Sequence, residues 1–223
     1  MVELPPFLAA LAHELRDAYP NLHLVPPFVA DSATVRGSMG IVHQGHEIDR
    51  FHIEMRVPSD FPKHWPKTWE TAGRIPRTLA RHVYPHDGSL CVFLPHEAYF
   101  TLPRTLTLSE YLKGPLRNYF IGQCCVEAGQ VWPWGERSHG MRGVDEFYQE
   151  ILETNDRRII GEFLFLILRN KFKGHWHCPC GSGKMIRRCH KDVIFSIGER
   201  IPPDLLLTYL EYIIDETSKS PSR

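Results

Sequence analysis

Hydrophobic positions recur along this chain with two periods, and the change between them marks out the elements. From residue 6 to 19, Phe7, Leu11, Leu15 and Ala18/Tyr19 fall at helical spacing, with Pro6 suited to a first turn and Pro20 closing the segment. Residues 21–30 read as a short strand that Pro26-Pro27 ends or confines to a sheet edge. The period then drops to two. Val35, Gly37, Met39 and Ile41 alternate with polar or small residues, and Phe51, Ile53, Met55 and Val57 alternate with Arg50, His52, Glu54 and Arg56. With Gln44-Gly45 between them, these runs predict a hairpin with one face in a core. Residues 58–77 are rich in proline yet carry Trp65 and Trp69, so they predict a packed irregular loop leading to a fourth strand near Thr68–Thr71.

The second half returns to helical spacing. Thr105–Val126 predicts a helix anchored by Leu106, Tyr111, Leu112 and Phe120, capped by Thr107 or Ser109, and kinked or split at Pro115. Cys124-Cys125 near its end read as core packing. Trp132-Pro133-Trp134-Gly135 is a rigid aromatic turn, which shapes a site, docks a partner or covers the core. Gly143-Val144-Asp145 opens a helix carrying Phe147, Tyr148, Ile151 and Leu152. Arg157–Arg169 forms another, with Ile160, Phe163, Leu164, Ile167 and Leu168 on one band. Residues 201–217 form an amphipathic helix opened by Pro202-Pro203, and the tail SKSPSR reads as disordered.

Composition narrows the setting. In 223 residues, Lys+Arg and Asp+Glu are both 26, so no global field points to nucleic acid or a membrane surface, and neither partner is expected. No secretory signal is expected at the N-terminus, and no apolar run approaches the ~18 residues of a membrane-spanning helix. The six cysteines fall as one alone, one adjacent pair and three within Cys178–Cys189. That grouping is metal spacing plus single thiols and implies a reducing, cytoplasmic setting.

Two stretches carry candidate chemistry. In residues 81–93, RHVYPHDGSLCVF, a Gly-containing turn delivers Cys91 between apolar neighbours, with His82, His86 and Asp87 near it in sequence. Such a thiol is either a nucleophile, active as thiolate, or a small hydrophobe packed in a strand. In residues 175–192, HWHCPCGSGKMIRRCHKD, the set Cys178, Cys180, Cys189 and His190 offers three thiolates and an imidazole. That donor set suits a closed, structural zinc site whose metal supplies the folding free energy of a loop too short for a core. His175 and His177 are alternative ligands. Lys171, Lys173, Lys184, Arg187, Arg188 and Lys191 surround the loop, either as a solvated face or as a surface for phosphates or an acidic protein. The pattern CPCGSGK followed by CH resembles the SEC-C motif, a small zinc module at the end of many bacterial proteins, among them a preprotein-translocase ATPase.

The order helix, meander strands, Pro-rich loop, cysteine after a Gly turn, then helices resembles the ubiquitin-conjugating (UBC) fold, an α+β class. Phe61-Pro62, Pro66-Lys67 and Trp69 are similar to that family's YPF-x-PP-K-V-x-F segment. His82, Gly88, Leu90-Cys91 and Val92 are similar to its stretch from the active-site histidine to the cysteine strand. The resemblance covers roughly residues 5–130, and the sequence pattern divides the chain into a UBC-like domain with helical extension over 1–170, a zinc module over 171–193, and a terminal helix and tail over 194–223. The resemblance implies that Cys91 forms a thioester. The family's His-Pro-Asn is absent, so His82, His86 or a backbone N–H has to support the oxyanion. The segment WPWGERSHGMRGVDEFY resembles bacterial conjugating-like proteins of CBASS antiphage operons, which implies action on the C-terminus of a cGAS/DncV-like nucleotidyltransferase. No Gly-rich phosphate loop is visible, so activation of the acyl group is expected from elsewhere. Two other readings stand beside this one: a non-catalytic UBC-fold module that binds C-terminal tails, and a nucleic-acid adaptor built on the zinc tail.

Overall fold

A computed structural model describes residues 6–27, 31–170 and 172–219, apart from the side chain of Asp17. Phe28–Ala30, Lys171 and the last four residues of the expected tail lie outside the described residues. The chain divides into two compact units, one of residues 1–93 and 103–136, the other of 94–102 and 137–223. The division falls at residues 93/94, 102/103 and 136/137, whereas the sequence pattern suggested breaks after 170 and 193. The helices from residue 137 onward share a core with the cysteine-rich loop, because their apolar bands face it.

The first unit is built on a four-stranded antiparallel sheet in the order β1-β2-β3-β4: Leu22–Val25, Ser32–His43, His46–Pro58 and Lys67–Glu70. Helix α1, Pro6–Ala18, precedes it and packs on β1. Its buried residues are Leu8, Leu11 and Leu15, so the stripe is rotated slightly from the one centred on Phe7. The β2–β3 hairpin has the two-residue turn expected at Gln44-Gly45. His43 pairs with His46, and Gln44 (φ 49°) and Gly45 (φ 84°) both take the left-handed conformation that matches the strands' twist. Val35, Met39 and Ile41 of β2 and Phe51, Ile53, Met55 and Val57 of β3 are all essentially inaccessible, as the period-two pattern requires. Each contributes about 1.5–3 kcal/mol of burial.

Proline shapes the next helix without ending it. α3 (Leu108–Tyr111) opens with a capping box in which Thr107 and Glu110 satisfy each other's backbone N–H. It then passes through a widened π turn, Leu112–Leu116, that contains Pro115, and continues as α4 (Arg117–Glu127). A proline inside an ordinary helix removes one N–H and clashes one turn back, and the wider turn relieves both. α4 closes the core over the sheet, where Phe120 stacks on Phe51 with ring centroids 4.4 Å apart. The Pro-rich loop packs through its aromatics. Trp65 meets Phe61 at 6.2 Å and Phe93 at 5.1 Å, and Tyr111 meets both phenylalanines.

The second unit is helical: α2 (Pro95–Thr101), α5 (Met141–Ile151), α6 (Arg157–Arg169), α7 (Lys191–Arg200) and α8 (Pro203–Lys219). Its core gathers Phe147 and Tyr148 from α5, Ile160, Phe163 and Leu164 from α6, Ile194 and Ile197 from α7, and Leu206, Tyr209 and Ile213 from α8. One carboxylate lies within it. Asp145 is paired with Arg157 and accepts a 2.5 Å hydrogen bond from the Tyr209 hydroxyl. Tyr209 stacks on Tyr148, whose hydroxyl lies 3.0 Å from Nδ1 of the buried His96. α2 and α7 were not anticipated, and α8 extends through Lys219, into the stretch expected to be disordered.

Candidate functional site

Cys91 owes its position to a small hairpin held against the end of β4. Val83 bridges Leu90, Tyr84 N–H donates to Ser89 O (2.9 Å), and Cys91 N–H donates to His82 O (2.8 Å). The turn follows from its residues. Gly88 has φ 74°, a conformation in which a side chain is strained, and its N–H closes on Tyr84 O at 2.8 Å. Asp87 accepts from both the N–H (2.9 Å) and the hydroxyl (2.8 Å) of Ser89. Burial tends to raise the Asp87 carboxyl, but Lys67 at 2.5 Å and the two Ser89 donors hold it well below the usual carboxylate range. Leu90 N–H donates to Thr68 O and Trp69 Nε1–H to Asp87 O, which fastens the hairpin to β4.

In this register His82, Tyr84, Ser89 and Cys91 share one face, because partners alternate sides along an antiparallel pair. A ring nitrogen of His82 lies within 4.8 Å of the Cys91 sulfur. Tyr84 sits diagonally across the pair, with its hydroxyl near enough to act on the thiol, whose sulfur lies 4.0 Å from Phe93 O. Tyr84 was not singled out in the sequence. Only the register places it there, and the signal was the turn PHDG read as a hairpin. Cys91 is half-buried. Burial pushes its thiol up, and the Tyr84 hydroxyl offsets part of that rise. The resting group is therefore a thiol, not the thiolate that neighbouring histidines would favour.

The two histidines separate. His82 is buried, in the left-handed conformation (φ 48°), with its ring against Trp132 (centroids 4.3 Å) and Nε2 3.4 Å from Glu136 Oε1. Its carbonyl accepts from the Tyr119 hydroxyl of α4, and the Arg81 carbonyl accepts from Gln123 Nε2 at 2.7 Å. His86 stands 74% exposed at the tip of the turn, with Nε2 3.4 Å from Asp87 Oδ2. The aromatic turn at Trp132–Gly135 thus borders the Cys91 hairpin through Trp132, while Trp134 is exposed and donates to Asn118 O.

Cys124 and Cys125 are half-buried, not core residues. The inner face of α4 is taken by Tyr119, Phe120 and Gln123, so the two thiols fall beside it. Cys124 Sγ lies 3.4 Å from Asp49 Oδ2, and burial together with that carboxylate pushes its thiol up to about 12.

The second cluster is in the helical unit. Cys178, Cys180, Cys189 and His190 bring their ligand atoms within 4.8 Å of one another. Cys180 Sγ is 3.5 Å from Cys189 Sγ, and His190 Nδ1 is 3.3 Å from Cys178 Sγ and 3.2 Å from Cys189 Sγ. Bonds of about 2.0–2.3 Å to a central tetrahedral ion set such edges at about 3.4–3.8 Å, which the sulfur–sulfur edge meets and the two sulfur–nitrogen edges fall slightly short of. The four atoms fit a metal ion, and three thiolates with one imidazole are compatible with zinc. Ser182 Oγ lies 3.2 Å from Cys180 Sγ and 3.4 Å from Cys189 Sγ, within reach to donate to a thiolate. His175 and His177 are exposed, and His177 bridges Met185 in the small hairpin that carries the cysteines.

Among the described residues no helix is long and apolar enough to cross a membrane. No protein-family model, curated protein or solved structure matches this chain.

Proposed function

We propose that the first unit is a ubiquitin-conjugating-like cysteine acyl carrier. The observation that carries this reading is the placement of Cys91. Its backbone N–H closes a hairpin fixed to the last strand of an antiparallel meander, with an imidazole and a phenol beside its sulfur. The Cys91 sulfur attacks the carbonyl carbon of an activated C-terminal acyl group, the carbon–leaving-group bond breaks, and the thiol proton leaves with the leaving group or through His82. An amine then attacks the thioester, forms the amide, and returns the sulfur to its thiol form by giving up a proton. A protonated resting thiol suits a carrier that must avoid stray alkylation and is deprotonated as the acyl donor docks. The Tyr84 hydroxyl is the nearby donor for the oxyanion of either tetrahedral intermediate.

The acyl donor on this reading is the C-terminus of a cGAS/DncV-like nucleotidyltransferase, and the role is regulation of antiphage signalling. Cys178, Cys180, Cys189 and His190 hold zinc, which fixes the loop without taking part in the transfer. Intact-mass analysis after co-expression with genomic neighbours tests the carrier. The wild type is expected to carry a thiol-labile adduct, Cys91→Ala none, and Cys91→Ser a thiol-resistant ester. An alanine variant that transfers equally well overturns the reading. The raised Cys91 thiol favours a second reading, a non-catalytic module that binds C-terminal tails; it requires tail binding that survives Cys91→Ala with no adduct on the wild type.

A further inference from the structure

The surface of the helical unit has a composition that acyl transfer does not use. Between Phe163 and Lys191 the chain has no Asp or Glu, although its overall charge is zero. Arg169, Lys173, Lys184, Arg187, Arg188 and Lys191 are all exposed, and among the described residues none has a carboxylate partner. A solvated face normally interleaves both signs, because like charges left together repel. A divalent ion on three thiolates subtracts only one charge, so the surface stays strongly positive when the metal cluster is filled.

Exposed rings are set among these cations. Trp176 is 42% exposed in the cysteine hairpin, and Phe195 is 54% exposed on α7 with Lys191 Nζ 5.8 Å from its ring centre. Phe165 is exposed on α6 beneath the Arg169 guanidinium, at 4.9 Å. Next to Phe195 a cleft of about 370 Å³ opens, with Phe172, Ile167, Ile194 and Leu206 in its walls and Asn170 and Glu199 as polar members. Phe172 and Phe195 meet edge to face at 5.4 Å. Rings with cations also occur on protein-binding faces, so the choice between an acidic protein and unstacked bases rests on the arms of the test. Unstacked bases use both, with rings as stacking platforms and cations for the phosphates.

We infer that this surface binds single-stranded nucleic acid, with phosphates along Lys184, Arg187, Arg188 and Lys191 and one base seated against Phe195 at the mouth of the cleft. The proposal is independent of any reaction at Cys91.

The test is fluorescence anisotropy of the full-length, metal-replete protein with a labelled 20-nucleotide single strand of mixed sequence, titrated across salt concentrations. The wild type is expected to prefer the single strand over the same sequence as duplex, with affinity falling steeply as salt rises. Replacing Arg187 and Arg188 together with Ala removes two phosphate contacts. It is expected to make the log–log salt slope shallower by about 1.4 and to weaken binding about 25-fold at 0.1 M salt. Phe195→Ala, an exposed position, is expected to weaken binding about ten-fold or more with the slope unchanged. Unchanged metal content and circular dichroism show that each variant is folded. The proposal is overturned if no binding appears at 50 mM salt, if duplex binds as well as single strand, or if Phe195→Ala binds like the wild type. Tighter retention on phosphatidylserine vesicles or polyglutamate than on the oligonucleotide also overturns it, in favour of a membrane or an acidic protein.

Discussion

Cys91 and His96 show how burial sets chemistry at single residues. Because burial holds the Cys91 thiol up, its alkylation by iodoacetamide is expected to be slower at pH 7 than that of a free thiol, rising as pH passes above 9. Tyr84→Phe deletes the hydroxyl that partly offsets burial, so the profile is expected to shift to still higher pH. Peptide-level mass spectrometry across pH reads this. A shift to lower pH in the phenylalanine variant contradicts the assignment of Tyr84. His96 supplies a second signature. Burial lowers it from 6.5 to about 4, so below pH 6.5 the unfolded chain binds a proton that the folded unit refuses. Stability is therefore fully present above pH 6.5 and is lost as pH falls towards 4, by about 3 kcal/mol in the limit. Melting temperature against pH is expected to flatten over that window in His96→Gln.

At the scale of elements, α4 and the aromatic turn are locked by one missing side chain. A Cβ on Gly122 would lie 2.5 Å from the Trp132 indole, so Gly122→Ala has to displace that ring. The expected cost is about 1–2 kcal/mol, and the displaced ring is also the one His82 packs on. Thermal melts measure the cost, and the pH profile of Cys91 alkylation reports whether His82 moves with it. The hairpin, its turn and its buried face were legible in the sequence because a period of two with Gln44-Gly45 between the runs leaves one register that buries the alternating apolar residues, with only Val42 and Ile48 beside the turn left exposed among its described apolar positions. α7 was less so, although Ile194, Ile197 and Ile201 fall at helical spacing, because its first turn lies in the stretch read as the zinc module and the rest was grouped with the terminal helix, from which Pro202-Pro203 separates it. α2 is seven residues long, too short to show a period, and its one signal is Pro95 at the first helical position. Tyr84 escaped notice because its place beside Cys91 depends on pairing across a turn, which neighbours in sequence do not display.

At the scale of the whole molecule, the cysteine–histidine cluster that could hold a metal ion ends where a helix begins. His190 is the residue before α7, so the ion and the helix are expected to form together. Dialysis against a strong chelator is expected to remove one metal per chain and to reduce helical circular dichroism, with recovery on adding zinc. Cys189→Ala is expected to start in the stripped state. A chelated protein with unchanged helicity contradicts this coupling. The clustering of Cys178, Cys180, Cys189 and His190 was legible in their spacing, whereas the partition of the chain was not, because it depends on which apolar faces meet.

That partition bears on synthesis. The chain leaves the first unit after Phe93, two residues past Cys91, makes α2 for the second unit, and returns at Pro103. On the ribosome α2 emerges before residues 137–223, which complete its core, so it waits without a partner for several seconds at ~5–20 residues per second. The cysteine segment is thus tethered to a helix whose core partners are made later in the chain. Neither unit is inherited or expressed as one continuous stretch of sequence. A gene truncated after 136 would leave Leu94, Tyr99 and Phe100 exposed, and with them a surface open to chaperones and proteases a few residues from the thiol.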